Sequence, residues 1–188
     1  RKKMELLDIV DEKGNPTGEV KERALIHREG LLHRTSHVWI ARKNRKSGMD
    51  LLLQKRSAKK DSHPGCYDIS SAGHIPAGCG YLESALRELE EELGVTARPE
   101  ELEDKGLRRI CWDEVFHGEL FKDRQVSRVY LLWEEIDITK LRLQKEEVES
   151  VMWMDYMECV NAVKSGSIPN CISLEELKML KSEVPRNA

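Results

Sequence analysis

A glycine-bearing loop that runs into a carboxylate-rich helix, residues 73–95, constrains this 188-residue chain more than any other segment. At about 100° per residue, Glu88, Glu91 and Glu92 cluster on one side of the predicted helix. Gly94 predicts the end of that helix. A separate apolar stripe can pack against a core. Its members are Leu82, Ala85, Leu86, Leu89 and Leu93.

The clustered carboxylates predict a cation site. Like charges three or four residues apart oppose helix formation unless something neutralises them. A hard divalent cation with oxygen ligands, Mg²⁺ or Mn²⁺, suits such a set. Arg87 lies beside Glu91 and can pair with it and orient it. An ordinary solvated charged face is the alternative, but the glycine loop, the arginine and the glycine stop together favour the cation site.

This segment resembles the Nudix box, G-x5-E-x7-R-E-U-x-E-E-x-G-U, where U is an aliphatic residue. The matching positions are Gly73, Arg87, Glu88, Leu89, Glu91, Glu92, Gly94 and Val95. The remaining specified position, a glutamate in the pattern, is Cys79 here, and Glu83 is four residues out of register. The mismatch leaves open a Nudix-fold module that binds a diphosphate with weak catalysis.

The resemblance implies an enzyme, a Nudix hydrolase that uses Mg²⁺ or Mn²⁺ to cleave a phosphoanhydride bond in a small-molecule diphosphate substrate. Glu88, Glu91 and Glu92, with the Gly73 carbonyl, would hold the cation. Glu91 or Glu92 would orient or deprotonate the attacking water, and the sequence does not separate the two. Arg87 completes the predicted catalytic set.

The resemblance extends over roughly residues 5–155 to the Nudix branch related to isopentenyl-diphosphate isomerase. The segments that carry it are residues 27–34, 37–40, 51–57 and 63–74. The isomerases move a proton with a cysteine just before the Gly-His pair, where this chain has Ala72. Because a methyl group cannot carry a proton, hydrolysis is favoured over isomerisation. The substrate can be written X-diphosphate, where X is the group attached to the diphosphate. The sequence leaves X open: isoprenoid, nucleoside, sugar or coenzyme.

Two basic residues complete the predicted substrate site together with His74. Arg56 and Lys60 match residues that contact the diphosphate in the related isomerases. A guanidinium fork and a mobile ammonium both suit phosphate. A basic strand end exposed to water is the alternative interpretation.

The isomerases also hold a metal with histidines at the positions of His27, His33 and His74, helped by downstream glutamates. The downstream match falls at residues 123–126, where Gln125 replaces a carboxylate. The sequence leaves open whether the three histidines bind a metal or are hydrogen-bonded structural residues.

Composition narrows the remaining classes. A net charge of −3 gives no reason to expect nucleic-acid binding, and no apolar run is long enough to span a membrane. Five scattered cysteines without a CxxC pair favour a reduced cytoplasmic setting. The length fits a single Nudix domain over residues 1–188. The oligomeric state stays open, with a homodimer as one option.

The resemblance implies an α/β (α+β) fold, an α/β/α sandwich with a mixed sheet, and the local patterns agree with strands covered by helices. Residues 37–41 and 50–56 predict a hairpin. Further strands are predicted over residues 5–10, 67–72, 107–116, 126–134 and 148–153. C-terminal helices are predicted within residues 154–183, over 154–164 and 173–182, the second with Ser173 and Glu176 as a capping box.

Overall fold

The structure is a computed structural model that describes residues 4–182. Within that range the strands are β1 (Leu6–Val10), β2 (Pro16–Glu22), β3 (His33–Lys43), β4 (Met49–Arg56), β5 (Tyr67–Asp68), β6 (Ser71–His74), β7 (Leu102–Phe116), β8 (Glu119–Trp133) and β9 (Val148–Asp155). The helices are α1 (Arg23–Glu29), α2 (Tyr81–Leu93), α3 (Tyr156–Ser165) and α4 (Leu174–Leu180).

A mixed sheet forms the centre of the molecule. Strands β5, β4, β3, β8 and β7 are hydrogen-bonded in that order, while β6 also pairs with β3 and β9 with β4. β3 and β8 run parallel, and the other pairs in the sheet are antiparallel. Strands β1 and β2 form a separate antiparallel pair.

Helices cover both faces of the central sheet. On one face, α2 contributes the buried side chains of Leu89 and Leu93 to a core. On the other face, α3 and α4 contribute Cys159 and Leu177 to a second core around Trp39. Successive strand residues point to opposite faces, so one strand can supply both cores. The predicted α/β/α sandwich with a mixed sheet is confirmed.

Helix α2 agrees closely with the predicted carboxylate helix. Gly94 adopts φ of 71°, a left-handed conformation that favours glycine, and its N–H bonds the Glu90 carbonyl at the helix end. The predicted apolar stripe packs on the core: Ala85, Leu89 and Leu93 are buried, and Leu82 and Leu86 are partly buried.

Several predicted elements differ from the structure. The single strand over residues 67–72 is wrong, because β5 and β6 are separated at Ile69 and Ser70. The Ser70 hydroxyl donates to the Leu52 carbonyl at 2.5 Å and accepts from the Ile40 N–H at 2.8 Å. These bonds tie the break in the strand to its neighbours.

Strand β2 and helix α1 are absent from the sequence predictions. Every residue of β2 is exposed, so it has no apolar alternation to find. Helix α1 spans seven residues and has no side-chain cap at its N-terminus. Strands β7 and β8 also form a longer hairpin than predicted.

The C-terminal helices begin where capping side chains place them. α3 starts after Asp155, whose carboxylate accepts from the N–H groups of Met157 and Glu158 at 3.0 and 3.2 Å. α4 follows Ser173, whose hydroxyl accepts from the Glu176 N–H at 3.3 Å. The return half of the predicted capping box is missing, since the Glu176 carboxylate points into a buried network instead.

The predicted domain range 1–188 and helix end at 183 stay predictions, because residues 1–3 and 183–188 lie outside the described range. Among residues 4–182, no helix is both long and apolar enough to cross a membrane.

Candidate functional site

A cavity of about 350 Å³ opens between α2, β6 and the β7–β8 hairpin. It is lined by seven of the eight predicted site residues: Arg56, Lys60, Gly73, His74, Glu88, Glu91 and Glu92. Arg87 is the exception. Its Nε lies 3.9 Å from Glu91 Oε1 on the outer side of α2, as the helix spacing predicts.

The three box carboxylates differ in exposure. The Glu91 side chain is 51% exposed, Glu88 is half-buried, and Glu92 is 4% exposed. Glu92 Oε1 accepts from the Ser71 hydroxyl at 2.8 Å and from the Ala72 N–H at 3.2 Å. Glu92 is therefore anchored to β6 rather than presented to solvent with the other two.

Burial changes the charge state of two of these carboxylates. It raises the pKa of Glu88 to about 8, and the nearby carboxylates of Glu92 and Glu91 add to the shift. It also raises the pKa of Glu92 to about 7, although hydrogen bonds from Ser71 and Ala72 act in the other direction. Glu88 and Glu92 therefore keep their protons to higher pH than a free glutamate does, and a bound cation would favour the ionised forms.

Gly73 allows β6 to approach Glu88 closely. A Cβ added to Gly73 would lie 2.5 Å from Glu88 Cδ and 2.7 Å from Cγ, well inside contact distance. Only glycine leaves room for the Glu88 side chain in this position. Glycine is needed at the first position of the box because any side chain there would overlap Glu88.

Arg56 and Lys60 line the cavity but already have protein partners. Arg56 Nη1 donates to Asp68 Oδ2 at 3.1 Å, and its Nη2 donates to the Ser62 carbonyl at 2.9 Å. The Lys60 ammonium contacts the carboxylate of Glu147. The guanidinium therefore holds the loop after β4 in place, whereas the lysine has a single carboxylate partner.

A second cluster lies beside the box carboxylates. The ligand atoms of His27, His33 and His74 lie within 4.8 Å of one another. Asp123 on β8 completes the cluster, with its Oδ1 3.6 Å from His33 Nε2 and 3.7 Å from His27 Nε2. The Nε2 atoms of His27 and His33 and the Oδ1 atom of Asp123 are all buried, and none has a hydrogen-bond partner. Buried polar atoms normally have partners, so the set fits a bound cation.

The charge states of the histidines fit that cluster. Burial lowers the pKa of His27 to about 3, and it lowers the pKa values of His33 and His74 as well. Neutral imidazoles have a lone pair available for a metal. His33 Nδ1 lies 3.0 Å from the Leu31 carbonyl, and a proton on that nitrogen leaves Nε2 as the free acceptor.

Five acidic residues that line the cavity were not among the predicted site residues: Glu5, Asp68, Asp123, Glu147 and Glu176. Asp123 could have been found, because it lies two residues before Gln125 on one strand and so shares its face. Glu147 and Glu176 carry no spacing that relates them to the box. Only the tertiary fold brings them to it.

The box position that departs from the pattern lies outside this cavity. Cys79 precedes α2, and its N–H bonds the Pro76 carbonyl at 3.0 Å. Glu83, the nearest glutamate, caps the helix by accepting from the Gly80 N–H at 2.6 Å. Neither side chain is among the residues that line the cavity.

The sequence pattern of the NUDIX domain matches residues 31–170, a range that contains the carboxylate helix and most of the cavity. The chain belongs to the Nudix family. Nudix hydrolases generally use divalent metal ions. The predicted cofactor therefore agrees with the family as a divalent ion, without the metal being specified. The predicted hydrolase class is confirmed at the level of the family.

Relatives of this Nudix protein are named hydrolases. It is 42% identical over 159 residues to Nudix hydrolase 3 of Arabidopsis thaliana, covering 84% of this chain and 20% of that protein. It is 36% identical over 154 residues to an uncharacterized Nudix hydrolase of Clostridium acetobutylicum, covering 82% of this chain and 71% of that one. The chain thus spans about a fifth of the Arabidopsis protein.

Solved structures share the Nudix fold. A Deinococcus radiodurans protein superposes with a TM-score of 0.68 at 19% identity, covering 95% of this chain and 100% of that one. The NUDIX domain of Shewanella oneidensis NrtR, solved in complex with ADP-ribose, gives a TM-score of 0.55 at 15% identity, covering 79% and 85%. At these identities the likeness concerns the fold alone.

Proposed function

We propose that this Nudix domain hydrolyses a phosphoanhydride bond of a small diphosphate compound, X-diphosphate, with Mg²⁺ or Mn²⁺ as cofactor. The observation that carries the proposal is the convergence of Glu88, Glu91 and Glu92 on one cavity. Among the described residues, no lysine or arginine forms an ion pair with Glu88 or Glu92. A bound cation would supply the positive charge that their ionised forms lack.

The box residues would divide the work according to their positions. Glu88, Glu91 and Glu92 would hold the cation, with the Gly73 carbonyl nearby. A bound Mg²⁺ or Mn²⁺ would neutralise phosphate charge and lower the pKa of a bound water. Glu91 or Glu92 would orient that water or take its proton, while Arg87 keeps Glu91 in place.

Water would add to one phosphorus, and the bridging oxygen would leave with the other phosphate group. Lys60 could release Glu147 and pair with the substrate phosphates. Arg56 would act mainly by holding the loop after β4. His74, which lines the cavity, would contact the same phosphates.

The histidine cluster supports a second cation in the same cavity. His27, His33, His74 and Asp123 supply nitrogen and oxygen ligands of the kind that Mn²⁺ and Zn²⁺ accept. Asp123→Asn should weaken uptake of Mn²⁺ or Zn²⁺ measured by titration calorimetry and leave the box site intact. Equal uptake by the variant and the natural chain would contradict a cation at this cluster.

Isomerisation, the alternative suggested by the related branch, lacks a proton carrier at position 72. A non-catalytic binding module is the other alternative, and Cys79 is its support. Cys79→Glu separates an active hydrolase from a weakly catalytic binding module. A large gain in the rate of hydrolysis would mean that the natural chain is catalytically impaired. Little change would agree with the position of Cys79 outside the cavity.

Phosphate or nucleotide release from a panel of diphosphates, with Mg²⁺ or Mn²⁺, tests the main proposal. Glu92→Gln should lower turnover by about 10²- to 10⁴-fold, because it removes the charge and the base but keeps the side-chain shape. Glu90→Gln is the matched control, since Glu90 is exposed on the same helix and does not line the cavity. No release from any diphosphate at high enzyme concentration would overturn the proposal.

A further inference from the structure

Strand β7 has a long free edge. It lies at the end of the strand order of the central sheet, and within residues 4–182 only β8 pairs with it. From Gly106 to Phe116 it pairs with β8 without a break in register. Alternate residues of an antiparallel strand direct their N–H and C=O groups away from the neighbouring strand. One row of β7 backbone groups therefore faces outward and can pair with another strand.

The sequence of this edge is self-complementary about Cys111. Residues 107–115 read Leu-Arg-Arg-Ile-Cys-Trp-Asp-Glu-Val, with two basic residues before the cysteine and two acidic residues after it at equal distances. A second copy of β7 could pair antiparallel with the first about a two-fold axis at Cys111. Arg109 would then lie opposite Asp113 of the second copy, and the two-fold axis would repeat that pair.

The same register matches the residues next to these charges. Arg108 would lie opposite Glu114 of the second copy, which adds a further pair of opposite charges. Leu107 would lie opposite Val115, whose side chain is 62% exposed in the single chain. Opposite charges and apolar side chains directly across an antiparallel pair both stabilise it. The pattern therefore suits pairing of β7 with itself.

Charge disfavours the neighbouring registers. Moving the axis by two residues keeps the backbone hydrogen-bond pattern, so the nearest alternatives have their axis at Arg109 or Asp113. The first would place two arginines opposite each other, and the second would place two aspartates opposite each other. Like charges directly opposite are destabilising. Of these three registers, only the one centred on Cys111 brings opposite charges together.

The charged side chains of this pattern are accessible. Arg109 is 40% exposed, and its Nε lies 3.4 Å from Glu12 Oε2. Asp113 is 48% exposed, and its Oδ1 lies 2.8 Å from Arg124 Nη1. Exposed ion pairs contribute little to stability. Arg109 and Asp113 can therefore form new pairs across an interface at small cost.

We propose that the free edge of β7 is a homodimer interface, in which a second copy of this chain pairs antiparallel with residues 107–115 about a two-fold axis at Cys111. The central sheets of the two copies would then form one continuous sheet. Arg108 and Trp112 also line the cavity, so the second copy would extend the cavity wall. Pairing along nine residues is a small interface, and we expect a reversible dimer.

Sedimentation velocity over a concentration series tests the proposal, without any need for a substrate. The natural chain should shift from monomer to dimer as its concentration rises. Arg109→Asp and Asp113→Arg should each weaken the dimer by about 10-fold or more, because each places like charges opposite each other. The double variant should recover the dimer, because it restores opposite charges with their signs reversed. A folding defect in a single variant would not be repaired in this way.

A matched control and a cross-link locate the interface. Glu103→Lys also reverses a charge on β7, but Glu103 is 49% exposed and lies outside the self-complementary segment, so this variant should dimerise like the natural chain. Cys111 is exposed, and a short bismaleimide should link two copies through it. Cys111→Ser should abolish the link while the dimer persists in sedimentation.

Three outcomes would overturn the inference. One is a chain that stays monomeric at every concentration. Another is a dimer that neither single charge reversal weakens, which would place the contact on a different surface. The third is a dimer that both single variants weaken and the double variant does not recover. None of these outcomes bears on the proposed hydrolysis, which the diphosphate panel tests separately.

Discussion

At the scale of single residues, Gly73 lets β6 lie close to α2. A methyl group at this position would overlap the Glu88 side chain. Gly73→Ala should displace the Glu88 carboxylate and destabilise the protein by about 1–3 kcal/mol, the usual cost of overpacking. Thermal or urea unfolding measures the stability, and Mg²⁺ calorimetry measures the site.

Gly80→Ala is the matched control for that substitution. A Cβ at Gly80 would have its nearest contact, Glu83 Oε1, at 3.8 Å, and φ there is −101°, which alanine accepts readily. A Gly73→Ala variant with the stability and Mg²⁺ affinity of the control would contradict the steric role of Gly73.

The sequence predicted the residues of the box well and the rest of the site less well. The spacing along α2 correctly predicted the Arg87–Glu91 pair and the buried stripe, because helical periodicity is local. It did not predict that Glu92 is buried under β6. That contact depends on Ser71 and Ala72, whose position is set by sheet pairing rather than by neighbours in sequence.

At the scale of elements, α4 is held to the sheet by a buried charge network centred on Glu176. Glu176 is 1% exposed and accepts from Trp39 at 2.7 Å, while His37 and Arg108 contact the same carboxylate. Burial opposes ionisation of Glu176, but the charges of His37 and Arg108 outweigh it and lower its pKa.

Glu176→Ala should destabilise the protein by about 3–5 kcal/mol, because it leaves buried charges without their partner. Urea unfolding monitored by tryptophan fluorescence measures the change. Glu175→Ala, next to it on α4 but 72% exposed, should shift stability by no more than about 0.5 kcal/mol. Similar losses in the two variants would argue against the network.

The elements that the sequence predicted are those with strong local signals. The hairpin of β3 and β4, helix α2 and the Ser173 cap of α4 all follow from apolar patterns or capping residues. Strand β2 is exposed along its whole length, and α1 packs on β2 and β8 without a capping side chain at its N-terminus. Such elements form through tertiary packing, which a local pattern does not record.

At the scale of the whole molecule, the raised pKa values of Glu88 and Glu92 link stability to pH. Both carboxyls ionise near pH 4.5 when unfolded but at about pH 8 and about pH 7 when folded. Because the unfolded state loses these protons first, their contribution to stability falls as pH rises from about 4.5 to about 8 and is constant outside that range.

Mg²⁺ should reverse this trend, since it binds the ionised carboxylates and therefore stabilises the protein more at higher pH. We expect the rise in Tm on adding Mg²⁺ to be larger at about pH 8.5 than at about pH 6, measured by scanning calorimetry. Glu88→Gln should reduce both the decline without Mg²⁺ and the rise with it. A rise in Tm that is the same at the two pH values would contradict this linkage.

The helix that carries Glu176 begins at Leu174, after the family match ends at residue 170. The stretch after residue 170 nevertheless contributes Ile172, Ser173 and Glu176 to the cavity lining. A match to the family sequence alone therefore leaves out part of the wall that faces the box carboxylates.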